Sequence, residues 1–200
     1  CVSKFCKNFE IIFVDDGSTD DSFSKLFLLS KENKELKIVK LSRNFGHQNA
    51  IFAGLENASG DCIIIIDADL QDPPELFYEM FKKWKDEKFQ VVYGIRKKRK
   101  GNFFKLILYS FYHKLFKLFS NLNNSNDLAD FCLIDKKIKN YLIGLKEKNI
   151  YFRGLRSWVG FKQTGIEYER ENRNLGKSKY SIFKLYGLAL NGITNFSTKP

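Results

Sequence analysis

The chain is predicted to be an α/β protein built on a doubly wound, mostly parallel sheet, and three observations predict it. Short apolar runs alternate with segments of helical spacing from residue 10 to residue 93, and repeated βαβ units with short links make parallel sheets. The run from Cys62 to Ile66 is continuous in apolar residues, as in a strand covered on both faces. Two acidic clusters, Asp15-Asp16 and Asp67-Ala68-Asp69, each directly follow such a run. In open α/β sheets ligands sit beyond the carboxyl ends of the strands.

The elements follow in order. Glu10 to Val14 reads as a strand closed by the turn Asp15-Asp16-Gly17-Ser18. Ser18 to Asp21 supply an N-cap and first-turn acids for a helix reaching about Lys31. Leu36 to Leu41 is a second β-rich run, and Gly46 to Ala58 carries Ala50, Ile51, Ala53 and Leu55 at helical spacing. After the third strand, Pro73-Pro74 opens a helix to about Lys85, since proline is tolerated in a first turn. Gln90 to Tyr93 is the fourth strand. Beyond Gly94 the character changes: a basic run from Arg96 to Lys100 precedes a Phe-, Tyr-, Leu- and Lys-rich stretch from Asn102 to Ser120. Arg153 to Gln163 reads as a loop or short helix leading to a strand, Arg170 to Tyr180 is polar, and Ser181 to Phe196 has a helical look.

Two hundred residues, 44% hydrophobic and 28% charged, suit one globular domain rather than a disordered chain. The formal charge of +11 favours a polyanionic partner, which composition alone leaves open among nucleic acid, anionic lipid headgroups and phosphorylated substrates. Four cysteines without a CxxC pair and only two histidines give no zinc site of the Cys/His kind. The thiols are read as reduced, in a cytoplasmic domain. No uninterrupted apolar stretch reaches the ~18 residues that a membrane span requires.

Asp67-Ala68-Asp69 is the sharpest feature. Two carboxylates one residue apart at a strand end are costly unless a cation neutralises them. Hard cations, Mg²⁺ or Mn²⁺, take oxygen ligands and share them with substrate phosphates. A bare pair of this kind is as readily a solvated turn, and the surrounding string Asp67-Ala-Asp-Leu-Gln-Asp-Pro-Pro-Glu75 decides against that reading. Together with Val14-Asp-Asp-Gly-Ser-Thr-Asp20 and Leu41-Ser-Arg-Asn-Phe-Gly46, it resembles the inverting family 2 glycosyltransferases of GT-A fold. The branch it looks like is the polyprenyl-phosphate sugar transferases, such as bactoprenol glucosyltransferases and dolichol-phosphate mannosyltransferases. The resemblance runs from Phe9 to Pro200.

The resemblance implies that Asp15 and Asp16 contact the base and ribose of a nucleotide-sugar, a UDP-sugar. It places Asp67 and Arg43 in the same donor pocket, and Asp69 with Gln71 at a divalent metal and the diphosphate. Asp127-Leu-Ala-Asp130-Phe-Cys-Leu-Ile is similar to the family's DAGDFRLM segment, which makes Asp130 the candidate general base. Against an acceptor phosphate that is already ionised, Asp130 serves positioning as readily as deprotonation, and a helix N-cap is the plain structural alternative. Cys132 stands where the family has Arg, and Ala129 where it has Gly. Arg96, Arg153, Arg156 and Arg173 are the remaining candidates for holding an acceptor phosphate, because guanidinium binds phosphate oxygens bidentately. Arg173-Asn-Leu-Gly-Lys-Ser-Lys-Tyr180 resembles the family's R-x-x-G-x-S-K-Y closing segment, so Lys177, Ser178 and Lys179 are expected on the donor diphosphate. His47 falls where relatives often carry Lys and is given a plain surface role.

Residues 101–120 have the pattern of a helix lying in a bilayer interface, an aromatic apolar face broken by Lys105, Lys114 and Lys117. A helix packed on the sheet is the alternative. The resemblance further implies a strand before Cys1 and transmembrane helices after Pro200, so the sequence reads as clipped at both ends of a single GT-A domain covering 1–200. Homo-oligomers, where relatives form them, use the membrane part. The expected activity is transfer of a hexose, glucose foremost, to polyprenyl phosphate on the cytoplasmic face of a membrane. A polysaccharide acceptor is the alternative within the class. A nucleic-acid-binding module is the alternative outside it, disfavoured because acids and not stacked aromatics cluster at the strand ends.

Overall fold

Two β-sheets share one helix, α2, as a common floor, and the carboxyl ends of their strands frame the site. The structure, a computed structural model, describes residues 2–97, 128–145 and 150–170. A 3₁₀ turn at Val2–Lys4 precedes β1 (Ile11–Asp15), α1 (Ser22–Glu32), β2 (Leu36–Lys40), α2 (His47–Asn57) and β3 (Cys62–Ile65). A second 3₁₀ turn at Pro74–Leu76 runs into α3 (Phe77–Lys85), and β4 (Val91–Lys97) follows. After residues 98–127 come β5 (Leu128–Asp135), α4 (Lys136–Gly144), α5 (Phe152–Trp158) and β6 (Gln163–Glu169). The expected elements up to β4 therefore form within a few residues of their expected bounds. The interfacial-helix expectation for 101–120 and the helical expectation for Ser181 to Phe196 lie outside the described residues.

β1 and β2 pair in parallel, Ile11 opposite Leu36 and Asp15 opposite Lys40. The second sheet has the order β3-β5-β4-β6. β4 and β6 are parallel, with Val91 opposite Gln163 and Lys97 opposite Glu169. β5 is antiparallel to both β3 and β4, so β3, β4 and β6 run the same way and β5 alone opposes them. The sheet is thus mostly parallel, as expected, with an inserted strand that the sequence reading did not assign. Residues 129–134 of that strand are all buried, and burial on both faces removes the period-two alternation by which strands are recognised.

The alternation of side chains along β5 divides the core in two. Cys132 and Ile134 face α2, α4 and α5, packing with Leu55, Ile138, Leu142, Phe152 and Leu155. Ala129, Phe131 and Leu133 face α3, packing with Met80, Val92, Ile166 and Tyr168. By the same period, Asp130 shares the face of Cys132, under α2 and α5. Asp135 ends the strand and caps α4: its Oδ1 accepts from the Lys137 amide at 2.7 Å, and its Oδ2 accepts from Trp84 Nε1 at 2.7 Å. A clamp is supplied by Glu10, whose Oε1 accepts from the amide and hydroxyl of Ser59, both at 2.7 Å, and whose Oε2 accepts from Lys37 Nζ at 2.6 Å. It fastens the β1–β2 pair to the turn that leads into β3.

Close packing reaches from this core to the site through Tyr168. A Cβ added at Gly94 would meet Tyr168 Cε1 at 2.6 Å and Phe131 Cδ1 at 3.1 Å, and the Tyr168 hydroxyl is pinned to Asp72. The ring cannot retreat without breaking that bond. Gly94→Ala is therefore expected to destabilise the chain by about 1–3 kcal/mol, the usual range for overpacking, read as a lower midpoint in chemical denaturation. An unchanged midpoint would show that the ring is free to move.

Candidate functional site

Asp130 is 4% exposed, and a carboxylate so placed must be paired. Arg153, in the first turn of α5, donates to it bidentately, Nε to Oδ1 and Nη2 to Oδ2, each at 2.8 Å. His47, the first residue of α2, places Nε2 3.3 Å from Asp130 Oδ2 and 3.6 Å from Asp67 Oδ1. Burial pushes the Asp130 carboxyl up, but the hydrogen bonds from His47 and Arg153 and their charges outweigh it and hold the group well below the usual carboxylate range. Asp130 is thus a firmly ionised, weakly basic carboxylate in the middle of a strand, not a helix N-cap. The hydrogen bond to Asp130 raises His47 above its ordinary value, against burial and the charge of Arg153, with Asp67 adding to the rise. The surface role expected for His47 is replaced by a bridge between two acidic centres. Its signal in the sequence was no more than one imidazole at the start of a helix.

The second centre lies after β3. Asp67, Asp69 and Asp72 sit in one turn, where Leu70 adopts φ 59° with its side chain 74% exposed. A left-handed leucine is a strained conformation of the kind that gathers at functional sites. It turns the chain so that Asp72 points inward, 1% exposed. The Tyr168 hydroxyl donates to Asp72 Oδ1 at 2.5 Å, and Arg96 Nε donates to the Tyr168 oxygen at 3.2 Å. Burial, then the bond to Asp72, pushes the Tyr168 phenol up to about 12. Arg170, just past β6, spans the three acids: its Nη2 is 3.6 Å from Asp67 Oδ2 and 3.6 Å from Asp69 Oδ2, and its Nε is 3.3 Å from Asp72 Oδ1. Burial raises the Asp67 carboxyl, His47 opposes the rise, and the charges of Asp130, Asp72 and Asp69 add to it. Neither Asp72 nor Arg170 was singled out from the sequence. Asp72 was passed over inside a longer string, and Arg170 is one of many cations in a basic chain.

The third part is the turn after β1. Asp15 is buried; its Oδ1 accepts from the Ser18 amide at 3.2 Å, while its Oδ2 has no hydrogen-bond partner among the described residues. Asp16 accepts from the Phe45 amide at 2.7 Å and the Gly46 amide at 2.9 Å, which fixes the loop leading into α2. Gly17, at φ 68°, lies so close that an added Cβ would fall 2.4 Å from the Arg43 carbonyl carbon. Arg43 stacks over the Phe45 ring at 4.2 Å. The acidic turn after β1 and the loop into α2 are thereby locked together.

Of the residues read as site candidates, Asp67, Asp69, Arg96, Asp130 and Arg153 come together in a chain of ion pairs, Gln71 joins it through its backbone amide on Asp69, and Asp15, Asp16 and Arg43 sit at the carboxyl end of β1. Arg156 is withdrawn: it is fully buried, donates to the Ala129 carbonyl at 3.1 Å, and lies over the Tyr93 ring at 5.1 Å. It is not placed to reach an acceptor phosphate. Arg173, Lys177, Ser178 and Lys179 lie outside the described residues. The oxygen donors fit a hard divalent cation: Asp67 and Asp69 converge on a single cationic nitrogen, and the Gln71 backbone N–H donates to Asp69 Oδ1 at 3.2 Å, which orients that carboxylate. Among the described residues, no group of three His, Cys, Asp or Glu side chains encloses a metal. Such a pair is the kind that leaves coordination positions for substrate oxygens.

Residues 1–142 match the sequence profile of glycosyl transferase family 2. The chain is 48% identical over 195 residues to an uncharacterized glycosyltransferase, YkcC, of Bacillus subtilis, covering 97% of this chain and 60% of that protein. It is 36% identical over 191 residues to a prophage bactoprenol glucosyl transferase homolog of Escherichia coli, covering 96% and 62%. The chain belongs to glycosyl transferase family 2. It spans about three fifths of the length of these curated relatives. Among solved structures, it superposes on glucosyl-3-phosphoglycerate synthase from Mycobacterium tuberculosis, in complex with Mn²⁺, UDP and glucosyl-3-phosphoglycerate, with a TM-score of 0.58 at 20% identity, covering 96% of this chain and 70% of that one. A mannosyltransferase from Pyrobaculum calidifontis, in complex with GDP-mannose and Mn²⁺, gives 0.55 at 17% identity, covering 84% and 49%. At these identities the likeness is one of fold, and the fold is GT-A.

Within this family 2 domain, the His47 bridge has a pH signature. Its folded pKa is raised, so its stabilisation is fully present below the unfolded value of about 6.5 and is lost as pH climbs through the folded value. The melting temperature of the chain should exceed that of His47→Gln most at about pH 6, and the difference should close by about pH 9. A pH-independent difference would mean that no charged bridge exists.

Proposed function

We propose that this domain transfers a hexose from a UDP-sugar to a polyprenyl phosphate at the cytoplasmic face of a membrane, with inversion and with a divalent cation, Mg²⁺ or Mn²⁺. The observation that carries the reading is the convergence of Asp67 and Asp69 on one cation position at the carboxyl end of β3, beside a neighbouring strand end where Asp15 keeps a buried, unpartnered carboxylate oxygen. The first is a place for a cation with its diphosphate, and the second is an acceptor for the polar edge of a base or a ribose hydroxyl. The relatives named as bactoprenol glucosyl transferases support the choice of acceptor.

In this reading an acceptor phosphate oxygen attacks the anomeric carbon, and the bond from that carbon to the donor diphosphate breaks, its electron pair leaving with UDP. Asp69 and Gln71 would hold a divalent cation, which when bound would supply Lewis-acid neutralisation of the diphosphate charge. Asp130 is kept ionised by Arg153 and His47, which suits an orienting carboxylate better than a strong base. An acceptor phosphate carries no proton that must be removed before it attacks, so weak basicity is no handicap. Arg153 holds one face of the same carboxylate and is the described arginine best placed to meet an acceptor phosphate beside it. The remaining donor and acceptor contacts are assigned to Lys177, Ser178, Lys179 and Arg173, and membrane attachment to residues 101–120. Among the described residues, no helix is long and apolar enough to cross a membrane.

UDP with MnCl₂ is expected to raise the melting temperature by several degrees, as ligand binding to the folded state does, and Asp69→Ala should abolish that rise. Full-length protein given labelled UDP-glucose and polyprenyl phosphate should form an organic-extractable product, at a rate reduced at least ~100-fold by Asp69→Ala. Stabilisation by nucleic acid without stabilisation by UDP would overturn the reading, and product on a water-soluble glycan alone would move it to a polysaccharide acceptor.

A further inference from the structure

The three carboxylates after β3 are held by a guanidinium in a manner quite different from the Arg153–Asp130 pair. Arg153 grips Asp130 with two aligned hydrogen bonds of 2.8 Å. Arg170 reaches Asp67 and Asp69 only at 3.6 Å, beyond hydrogen-bond length, and although its Nε is 3.3 Å from Asp72 Oδ1 it makes no aligned hydrogen bond there. Among the described residues, its Nε and Asp72 Oδ2 are buried without a hydrogen-bond partner. A guanidinium in register with its carboxylate forms parallel forks at about 2.8 Å. Arg170 instead sits between three acids and satisfies none of them geometrically. It contributes charge, with little directional bonding to lose on departure.

We propose that Arg170 is a resident counter-cation of the acidic turn, which a divalent cation displaces from Asp69 when it binds. This inference rests on the proposed cation role of Asp69 and extends it to a residue for which the family resemblance stated no role. Asp72 is the anchor that keeps the guanidinium near. It is buried, held by the Tyr168 hydroxyl at 2.5 Å, and linked through Tyr168 to Arg96. Withdrawal of Nη2 from Asp69 leaves Nε beside Asp72, so the arginine need not leave the site. Before a divalent cation arrives, Arg170 keeps Asp67, Asp69 and Asp72 from repelling one another; afterwards its positive charge stands next to whatever anion the metal brings.

The test is Mn²⁺ binding by full-length protein without nucleotide, read from the electron paramagnetic resonance signal of free MnCl₂. Arg170→Gln removes the competing charge and should tighten Mn²⁺ binding by about tenfold, a modest share of the interaction of unit charges at this separation. It should also lower the melting temperature without metal, with Mn²⁺ restoring it. Arg170→Lys keeps a charge that cannot span three carboxylates and should fall between the two. It also serves as the reporter if the Gln variant does not fold: tighter binding supports the role, and equal or weaker binding overturns it. Asp69→Asn separates the two levels of the argument. If it abolishes Mn²⁺ binding while Arg170→Gln binds no more tightly than the parent, the displacement role falls and the cation reading stands. If Mn²⁺ binding does not depend on Asp69, or neither the parent nor Arg170→Gln binds Mn²⁺, both fall.

Discussion

Acidic groups drawn together at strand ends in a water-poor setting must be neutralised, and the site follows from that constraint. Asp67, Asp69, Asp72 and Asp130 would repel one another and lose their hydration if they stood alone. Each is met by a cation from a different element: Arg153 from α5, His47 from α2, Arg170 from the end of β6, and Arg96 from β4 through Tyr168. The result is one continuous network in which Asp67 is shared by His47 and Arg170. Elements far apart in sequence are bound to each other by charges that none could bury alone.

The topology makes such a meeting possible. β3, β4 and β6 point the same way, so their carboxyl ends and the loops beyond them fall on one edge. β5 runs against them through the middle of the sheet, which carries a mid-strand residue, Asp130, to the same edge from the opposite direction. Its period-two alternation turns Asp130 towards α2 and α5 while Phe131 on its other side packs under Tyr168 at a ring distance of 5.6 Å. Core packing and site geometry are therefore set by adjacent residues of one strand. Gly94 belongs to the same arrangement, since the room left by its missing side chain is filled by the tyrosine that holds Asp72.

The first half of the fold was legible because its strands and helices differ in period and are punctuated by Gly17, Gly46 and Pro73-Pro74. The acidic turns were legible because local sequence places them at strand ends. β5 was not, since a strand buried on both faces carries no alternation, and its buried acid, Asp130, could also be read as a cap. The pairing of His47 with Asp130, 83 positions apart, and of Tyr168 with Asp72, 96 positions apart, is a product of tertiary folding. No local pattern announces either. Cations were harder to read than acids for a simple reason: in a chain with 34 Lys and Arg against 23 Asp and Glu, an individual arginine carries little information until its neighbours are known.

Arg156 shows how far neighbours change a residue's meaning. Cys132 occupies the place where the resembled family carries arginine, and that substitution alone reads as the loss of a positive charge beside Asp130. The structure buries Cys132 completely and sets the Arg156 guanidinium against it, over the ring of Tyr93 and bonded to the Ala129 carbonyl. A guanidinium is thus present beside this stretch of β5, contributed by α5. Burial raises the Cys132 thiol and the adjacent Arg156 opposes the rise, while Arg156 keeps two nitrogens unpartnered among the described residues. A cation so enclosed cannot grip a substrate. It acts at short range on what lies around it, above all the Cys132 thiol on its own face of β5.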